Sequence, residues 1–205
     1  MHPQGLGLAD NAEVAPSGAF LTHPAVTAPS SSPNVPLPVL RSLQPGDMGW
    51  VISEHGRLYH AEYGWDSRFE ALVADIGARL LRRFDPRCEG TWIAECDGRR
   101  VGCAFVVRKS ARTAQLRLLL VTPEARGMGL GARRTDTCIA FAQAQGYHRM
   151  VLWTNECLHT ARALYARRGF VLDRSEPYAD FGQQLVGETW SLRLRAPATP
   201  KKGLR

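Results

Sequence analysis

Apolar residues recur along the chain with the periods of both helices and strands, which predicts a mixed α/β fold. The clearest helical stripe follows Asp66, a residue type that caps helix N-termini. Its apolar members are Phe69, Leu72, Val73, Ile76, Leu80 and Phe84. Apolar runs at 92–95 and 101–107 flank Asp97-Gly98, a dipeptide typical of a two-residue hairpin turn. This part of the sequence therefore predicts a helix followed by a β-hairpin.

The remaining apolar segments extend the alternation of strands and helices. Residues 48–53 resemble a first strand and 57–63 a short helix. Residues 116–121 are apolar except for Arg117, as in a central strand that is covered on both faces. Short strands and glycine-terminated helices follow. The predicted order is β-α-α-β-β-β-α-β-α-β-β, which gives a mixed sheet with helices on both faces.

Both ends of the chain differ from this patterned middle. Residues 1–44 are rich in Pro, Ser and Ala and show no periodicity, which is typical of a disordered leader or linker. Residues 197–205 form a basic tail that is expected to be flexible. A chain of 205 residues has room for one well-cored domain, which is expected over residues 45–196.

Composition argues against several classes of protein. The formal net charge of +7 comes from scattered arginines rather than one basic face, so we do not expect nucleic-acid binding. The five cysteines include no Cys-x-x-Cys pair, which argues against a zinc site, and no metal is expected. No signal sequence or membrane span is visible, which favours a cytoplasmic protein with reduced thiols.

The most informative segment joins the central strand to the helix after it. Residues 116–121 lead to Arg126, and Gly127, Gly129 and Gly131 follow at alternate positions. Glycines let the backbone approach a bulky anion, and a helix N-terminus offers unpaired N–H groups with a partial positive charge. The segment is therefore expected to bind a pyrophosphate.

Two other kinds of phosphate loop fit this segment less well. A dinucleotide-binding fingerprint also matches at 127–132, but that fold places its loop after the first strand and an acidic residue at the end of the next. Here several elements come first, and the next strand ends in Trp153-Thr154-Asn155. A P-loop is excluded because no Gly-Lys-Ser/Thr follows the glycines.

The ordered set of motifs resembles the GNAT acyltransferase superfamily over residues 46–195. The motifs are the apolar strand, Arg126-x-x-Gly129-x-Gly131, a helix, a strand, and Leu164-Tyr165-x-x-x-Gly169-Phe170. Segments 46–50, 62–66 and 181–190 further resemble the acetyltransferase half of MarR–GNAT fusion proteins. The resemblance implies a mostly antiparallel central sheet with helices on both faces, splayed between its central strands.

The resemblance also implies transfer of an acetyl group from acetyl-CoA, as co-substrate, to a primary amine by direct attack. Backbone amides of residues 126–131, the glycine loop, would hold the pyrophosphate, and the pantetheine arm would pair with the end of the central strand. The implied cofactor-binding residues are Leu119, Leu120, Val121, Arg126, Gly127, Met128, Gly129, Leu130 and Gly131, with Asn155 at the mouth of the next strand. By the resemblance, Tyr165 matches the general acid of the family. A phenol with a pKa near 10 can protonate a departing thiolate without being ionised at rest.

The general base is not identified by the resemblance. Trp153 occupies the position of a Glu that serves as base in several family members, and Leu158 occupies the position of a pantetheine-contacting Asn. Glu62 is the first candidate, because the segment that carries it lines the acceptor cleft in this fold. The alternatives are Glu188, His159, Glu70 and a chain of water molecules.

The acceptor is expected to be a small molecule with a cationic amine. Aromatic and acidic residues would form its mouth, although the tryptophans fit equally well as core residues. These mouth residues are Trp50, Tyr63, Trp65, Glu62, Asp66 and Glu70. A second hypothesis keeps the fold without the chemistry, as an acyl-CoA-binding sensor or interaction module. A homodimer is compatible with both hypotheses.

Overall fold

The computed structural model describes residues 38–195, which form a seven-stranded sheet with helices on both faces. The strands are β1 (Val39–Arg41), β2 (Gly90–Cys96), β3 (Arg99–Ser110), β4 (Thr113–Val121), β5 (Arg149–Asn155), β6 (Val171–Asp180) and β7 (Gln183–Arg193). The helices are α1 (Asp47–Tyr63), α2 (Ser67–Arg83), α3 (Leu130–Ala144) and α4 (His159–Arg167), with a 3-10 turn at Pro123–Ala125. The spatial order is β1-β2-β3-β4-β5-β7-β6, and only β4 and β5 are parallel among these strands. The predicted mixed, mostly antiparallel sheet is confirmed.

The parallel strands β4 and β5 separate along their length. Within the described residues, their backbone pairing is confined to 113–115 against 149–151. A bulge accompanies the separation, since Leu118 has a φ of 49° and two residues of β4 stand opposite Ala104 of β3. The β5-facing edge of β4 is therefore unpaired over 118–121, which is the predicted splay.

The sheet has a separate apolar core on each face. Helices α1 and α2 pack on one face through residues such as Val51 and Phe69. Helices α3 and α4 pack on the other, through residues such as Cys138. Cys103 and Ala104, neighbours on β3, belong to opposite cores, because successive side chains of a strand point to opposite faces.

Residues 48–53, which the sequence predicts to be a strand, instead begin helix α1. The buried positions of this helix recur every three or four residues: Met48, Val51, His55 and Leu58. The Asp47 carboxylate accepts a hydrogen bond from the Gln44 N–H at 2.7 Å, and an acidic residue is favourable in the first turn. The strand prediction was wrong because six residues are too few to distinguish the helical from the strand period.

The first strand is β1, which lies inside the segment predicted to be a leader. Residues 1–37 and 196–205 lie outside the described residues, so most of that leader and the whole basic tail do too. In β1, Arg41 donates at 2.6 Å both to Asp47 of α1 and to Glu95 of β2. Ordered structure therefore begins before residue 45, and the element order agrees with the prediction because β1 stands in place of the misassigned strand.

Other local predictions are confirmed. Asp66 caps α2 by accepting a hydrogen bond from the Arg68 N–H at 3.0 Å. Asp97 and Gly98 both have positive φ, as the tight turn of the β2–β3 hairpin requires. Across residues 38–195, no helix combines the length and the apolar character that crossing a bilayer would need.

Candidate active site

Two adjoining cavities lie where β4 and β5 separate. The loop cavity, of about 460 Å³, is bounded by α1, the end of β4, the glycine loop and α4. The sheet cavity, of about 130 Å³, is bounded by α1, α2, α4 and the facing strands β4 and β5. The residues that line both are Tyr59, Leu119, Leu158 and Ala161. The two cavities therefore adjoin at the gap in the sheet.

The glycine loop faces open space at the start of α3. Gly127 and Gly129 have φ values of 79° and 72°, and a Cβ on either would have no protein atom within 4 Å. Gly129 is the N-cap of α3 and makes no side-chain capping bond, so the first-turn N–H groups at 130–132 have no side-chain acceptor there. Open backbone with unpaired donors fits the pyrophosphate group that the loop is predicted to bind.

Arg126 and Glu62 form an ion pair at the rim of the loop cavity. Arg126 Nη2 lies 2.5 Å from Glu62 Oε1, and both side chains are partly exposed. The structure therefore brings the predicted phosphate-binding arginine together with the predicted base. Glu62 lines the loop cavity and is not among the residues that line the sheet cavity.

The predicted pantetheine-binding residues divide between the two cavities. Leu119, Leu120 and Val121 all line the loop cavity, beside the unpaired edge of β4. Asn155 is 1% exposed and lines the sheet cavity instead, where its Oδ1 accepts a hydrogen bond from Tyr178 Oη at 2.7 Å.

Three further loop residues complete the predicted cofactor set. Leu130 and Gly131 line the loop cavity. Met128 packs instead against the small apolar cluster around Ala94 and Ala125.

Tyr165 lines the sheet cavity from α4. It is 6% exposed, and its ring packs against Phe170 with centroids 5.8 Å apart. Burial raises the pKa of the Tyr165 phenol, so the hydroxyl keeps its proton at neutral pH. A buried, protonated phenol at the gap in the sheet is chemically suited to donate a proton there.

His55 also lines the sheet cavity, and sequence reasoning missed it. Its Nδ1 lies 2.8 Å from the Val51 carbonyl oxygen, which can only accept, so Nδ1 carries the hydrogen and Nε2 holds a lone pair. Burial lowers the pKa of His55 to about 4, so the ring is neutral at physiological pH. A neutral imidazole with a fixed tautomer can accept a proton.

The predicted aromatic and acidic mouth is not one continuous surface. Trp65 lines the sheet cavity and Tyr63 the loop cavity, whereas Trp50 lines neither and packs under Arg100, 5.7 Å from the ring centroid. Asp66 pairs with Arg68 at 2.7 Å. The acids predicted to attract a cationic amine thus stand outside the sheet cavity.

The alternative bases also lie away from both cavities. Glu188 is 2% exposed, and its Oε2 accepts hydrogen bonds from Arg162 Nε at 3.0 Å and Trp190 Nε1 at 2.8 Å. His159 is exposed at the start of α4, and Glu70 lies against α1 beside Gly56. In the described part of the chain, no cluster of three or more His, Cys, Asp or Glu side chains is arranged to hold a metal ion.

Comparison with known proteins identifies the family of the chain. A family model described as the acetyltransferase (GNAT) family matches residues 51–170. The chain is 31% identical over 159 residues to a mycothiol acetyltransferase from Paenarthrobacter aurescens (strain TC1), covering 71% of this chain and 47% of the relative. It is 36% identical over 120 residues to N-acetyltransferase family 8 member 3 from Rattus norvegicus, covering 54% of this chain and 51% of the relative. The chain thus spans about half the length of these two curated relatives.

The fold is shared with solved structures as well. A structure from Salmonella typhimurium, determined with its cofactor acetyl-CoA, aligns with a TM-score of 0.61 at 21% identity. The alignment covers 82% of this chain and 100% of the other.

Proposed function

Because the chain belongs to the GNAT acetyltransferase family, we propose that it transfers an acetyl group from acetyl-CoA to the primary amine of a small molecule. The meeting of the loop cavity and the sheet cavity at the unpaired edge of β4 carries this proposal. In the reaction, a bond forms from the amine nitrogen to the acetyl carbon while the bond from that carbon to sulfur breaks. One proton must leave the nitrogen and one must reach the sulfur, so CoA departs as a thiol.

The loop cavity is the proposed site for acetyl-CoA, which supplies the activated acetyl group. The N–H groups of residues 127–131 donate to its pyrophosphate, and Arg126 adds a full positive charge at the rim. The free edge of Leu119–Val121 offers backbone donors and acceptors to the pantetheine amides, as a neighbouring strand would. Holding both reactants at the gap supplies proximity, which is worth several kcal/mol.

Tyr165 is the proposed general acid. Its raised pKa keeps the phenol protonated until a thiolate develops beside it. Its position on the wall of the sheet cavity, next to Leu158 and Ala161 at the junction, supports a contact with the departing sulfur.

His55 is the proposed proton acceptor for the amine. It faces the cavity in which the acceptor would lie, whereas Glu62, the candidate from sequence, is paired with Arg126 in the other cavity. An amine nitrogen becomes acidic as it bonds to the acetyl carbon, so even a weakly basic imidazole can take its proton. Glu62 stays an alternative base, and a comparison of kcat in the Glu62→Gln and His55→Gln variants distinguishes the two candidates.

The dimensions of the sheet cavity support a small acceptor. A sheet cavity of about 130 Å³ suits a compact molecule better than an extended peptide.

Cys88, Cys103, Cys138 and Cys157 are free thiols, as in a cytoplasmic protein. The closer kinship with MarR–GNAT fusion proteins stays a proposal that rests on the sequence motifs alone.

The test is direct detection of acetyl transfer. Purified protein is incubated with acetyl-CoA and a panel of primary amines, while free thiol is measured and products are analysed by mass spectrometry. The proposal expects thiol release that depends on the amine, together with a product heavier by one acetyl group. Saturable binding of acetyl-CoA without transfer to any amine would instead support the sensor hypothesis.

A further inference from the structure

Arg117 is a cation that lines the sheet cavity and has no hydrogen-bond or ion-pair partner among the described residues. It lies on β4 beside the bulge at Leu118, is partly buried, and lines the sheet cavity. Throughout residues 38–195, no hydrogen bond or ion pair joins its guanidinium to another group. Arginines inside proteins normally meet a carboxylate or several carbonyl oxygens, because desolvating an unpaired charge is costly.

The surroundings of Arg117 make this lack of a partner more costly. Desolvation lowers the pKa of Arg117, and the nearby Arg79 cation on α2 lowers it further. No acidic side chain of residues 38–195 contributes to this environment. The local potential is therefore positive, which favours an incoming anion.

The rest of the cavity wall supplies no anion either. Apart from Arg117, its titratable lining residues are His55, Tyr59 and Tyr165, of which the histidine is neutral and the two phenols have raised pKa values. Trp65, also a lining residue, has a buried indole N–H with no acceptor among the described residues. Among the described residues, the cavity lining thus offers the unpaired Arg117 cation and no carboxylate to pair with it.

We propose that the sheet cavity binds an acceptor that carries a carboxylate as well as the amine, and that the Arg117 guanidinium receives this carboxylate. Guanidinium and carboxylate match in a planar, two-bond geometry, and the pair neutralises a charge that is otherwise desolvated. Amino acids are the simplest molecules of this class. The inference rests on the proposed function and deepens it, because it names the acceptor class of the same site.

Sets of matched acceptors test the inference without altering the protein. Each set consists of one amino acid, its primary amide and the decarboxylated amine, for alanine, leucine and phenylalanine. The expected result is a kcat/KM at least 10-fold higher for the amino acid of one set than for its two analogues. Equal or better turnover of the amides or decarboxylated amines overturns the inference and leaves the proposed function intact.

Variants then assign the preference to one side chain. Arg117→Met is expected to lose about 10- to 100-fold in kcat/KM for the amino acid, the usual effect of removing a hydrogen-bonded charge partner, with little change for the amide. Arg117→Lys keeps the positive charge but loses the planar, two-bond geometry, so its kcat/KM for the amino acid is expected to lie between those of the wild type and Arg117→Met. Arg79→Gln removes the neighbouring cation outside the cavity wall and serves as the control, with a change below about 3-fold. An unchanged preference in a folded Arg117→Met protein overturns the assignment.

A binding measurement distinguishes failure of the proposed function from failure of the carboxylate subsite. If no amine is acetylated, the proposed function fails, and the same amino acids are titrated into the protein by calorimetry. Saturable binding that is lost in Arg117→Met supports the carboxylate subsite on its own. Absence of binding, or binding that persists in Arg117→Met, overturns it.

Discussion

Arg126 Nη2 lies 2.5 Å from Glu62 Oε1, so a cation of the glycine loop and a carboxylate of α1 are paired across the mouth of the loop cavity. A pyrophosphate in this cavity competes with Glu62 for the same guanidinium. Because both side chains are partly exposed, the pair is worth at most about 1 kcal/mol. Exchange of Glu62 for a phosphate oxygen is therefore easily reversible.

This pairing predicts the effect of Glu62→Gln on cofactor binding. Removing the competing charge is expected to lower the Kd for acetyl-CoA by about 2- to 5-fold, in proportion to the small energy of an exposed pair. Calorimetric titration measures it. Glu54→Gln is the matched control, because Glu54 pairs with Arg57 on the same helix and lines neither cavity. Weaker binding by Glu62→Gln would show that Glu62 positions Arg126 instead of competing for it.

The same variant separates the two candidate bases. Glu62→Gln is expected to keep kcat within about 3-fold, whereas His55→Gln is expected to lower kcat by about 100-fold or more, since a positioned base contributes at least that much. Steady-state kinetics at saturating amine measures both. The opposite order would return the role of base to Glu62.

We predict that acetyl-CoA binding depends on the absence of a side chain at Gly129, separately from the left-handed backbone conformation of this residue. In Gly129→Ala the new methyl group enters the space proposed for the pyrophosphate, so we expect a loss of affinity of at least 10-fold. Gly146→Ala is the matched control: Gly146 has a φ of 78° against 72°, its Cβ would also meet open space, and it lies outside both cavities. Both variants should lose about 1–2 kcal/mol of stability from the left-handed conformation. Equal acetyl-CoA affinity in the two variants would contradict the proposed cradle.

Tyr165→Phe is predicted to impair chemistry and spare binding. Loss of the proton donor is expected to lower kcat by about 100-fold or more, with the Kd for acetyl-CoA changed by less than about 3-fold. Tyr147→Phe serves as control, because it removes another largely buried phenol, one that donates to the Cys88 carbonyl at 2.9 Å away from both cavities. A kcat for Tyr165→Phe equal to that of the control would remove Tyr165 as the acid.

Because His55 is buried, we predict that the folded protein loses stability as the pH falls. Burial lowers the pKa of His55 from 6.5 to about 4, so between these pH values the unfolded chain binds a proton that the folded chain does not. Stability contributed by neutral His55 is complete above about pH 6.5 and is lost as the pH falls towards 4, by about 3 kcal/mol in total. His55→Gln does not titrate, so its free energy of unfolding in urea should fall less over this range than that of the wild type. The exposed His159→Gln serves as control, and a wild-type slope in His55→Gln would contradict the burial of a neutral ring.

Much of the fold could be predicted from local sequence signals. The main error lies at residues 48–53, where the local signal is ambiguous. Asp66, the turn at Asp97-Gly98 and the glycine loop each specify their structure within a few residues, so they are predictable. Residues 48–53 carry one short apolar run that suits either period, and only packing of α1 against α2 selects the helix. Strand β1 is three residues long and is held by pairing with β2 and by ion pairs of Arg41 with Asp47 and with the distant Glu95, which local patterning does not reveal.

The glycine loop of the candidate site could be recognised in the sequence, whereas most of the polar lining of the sheet cavity could not. Residues 119–131 form one continuous motif, and Tyr165 was indicated by the family resemblance, whereas His55 and Arg117 come from α1 and β4 and meet at the cavity only in the folded chain. Arg117 was nevertheless visible as the one charged position in an apolar strand. A charge in such a strand signals a polar cavity, because a central strand has no solvent to receive it.

Calorimetric titration of the wild-type protein with acetyl-CoA is the decisive measurement, since every role proposed for the site depends on a cofactor held between the glycine loop and the edge of β4. We predict saturable binding of one acetyl-CoA per chain that weakens in Gly129→Ala. Absence of binding at millimolar acetyl-CoA, or full affinity in Gly129→Ala, would contradict it.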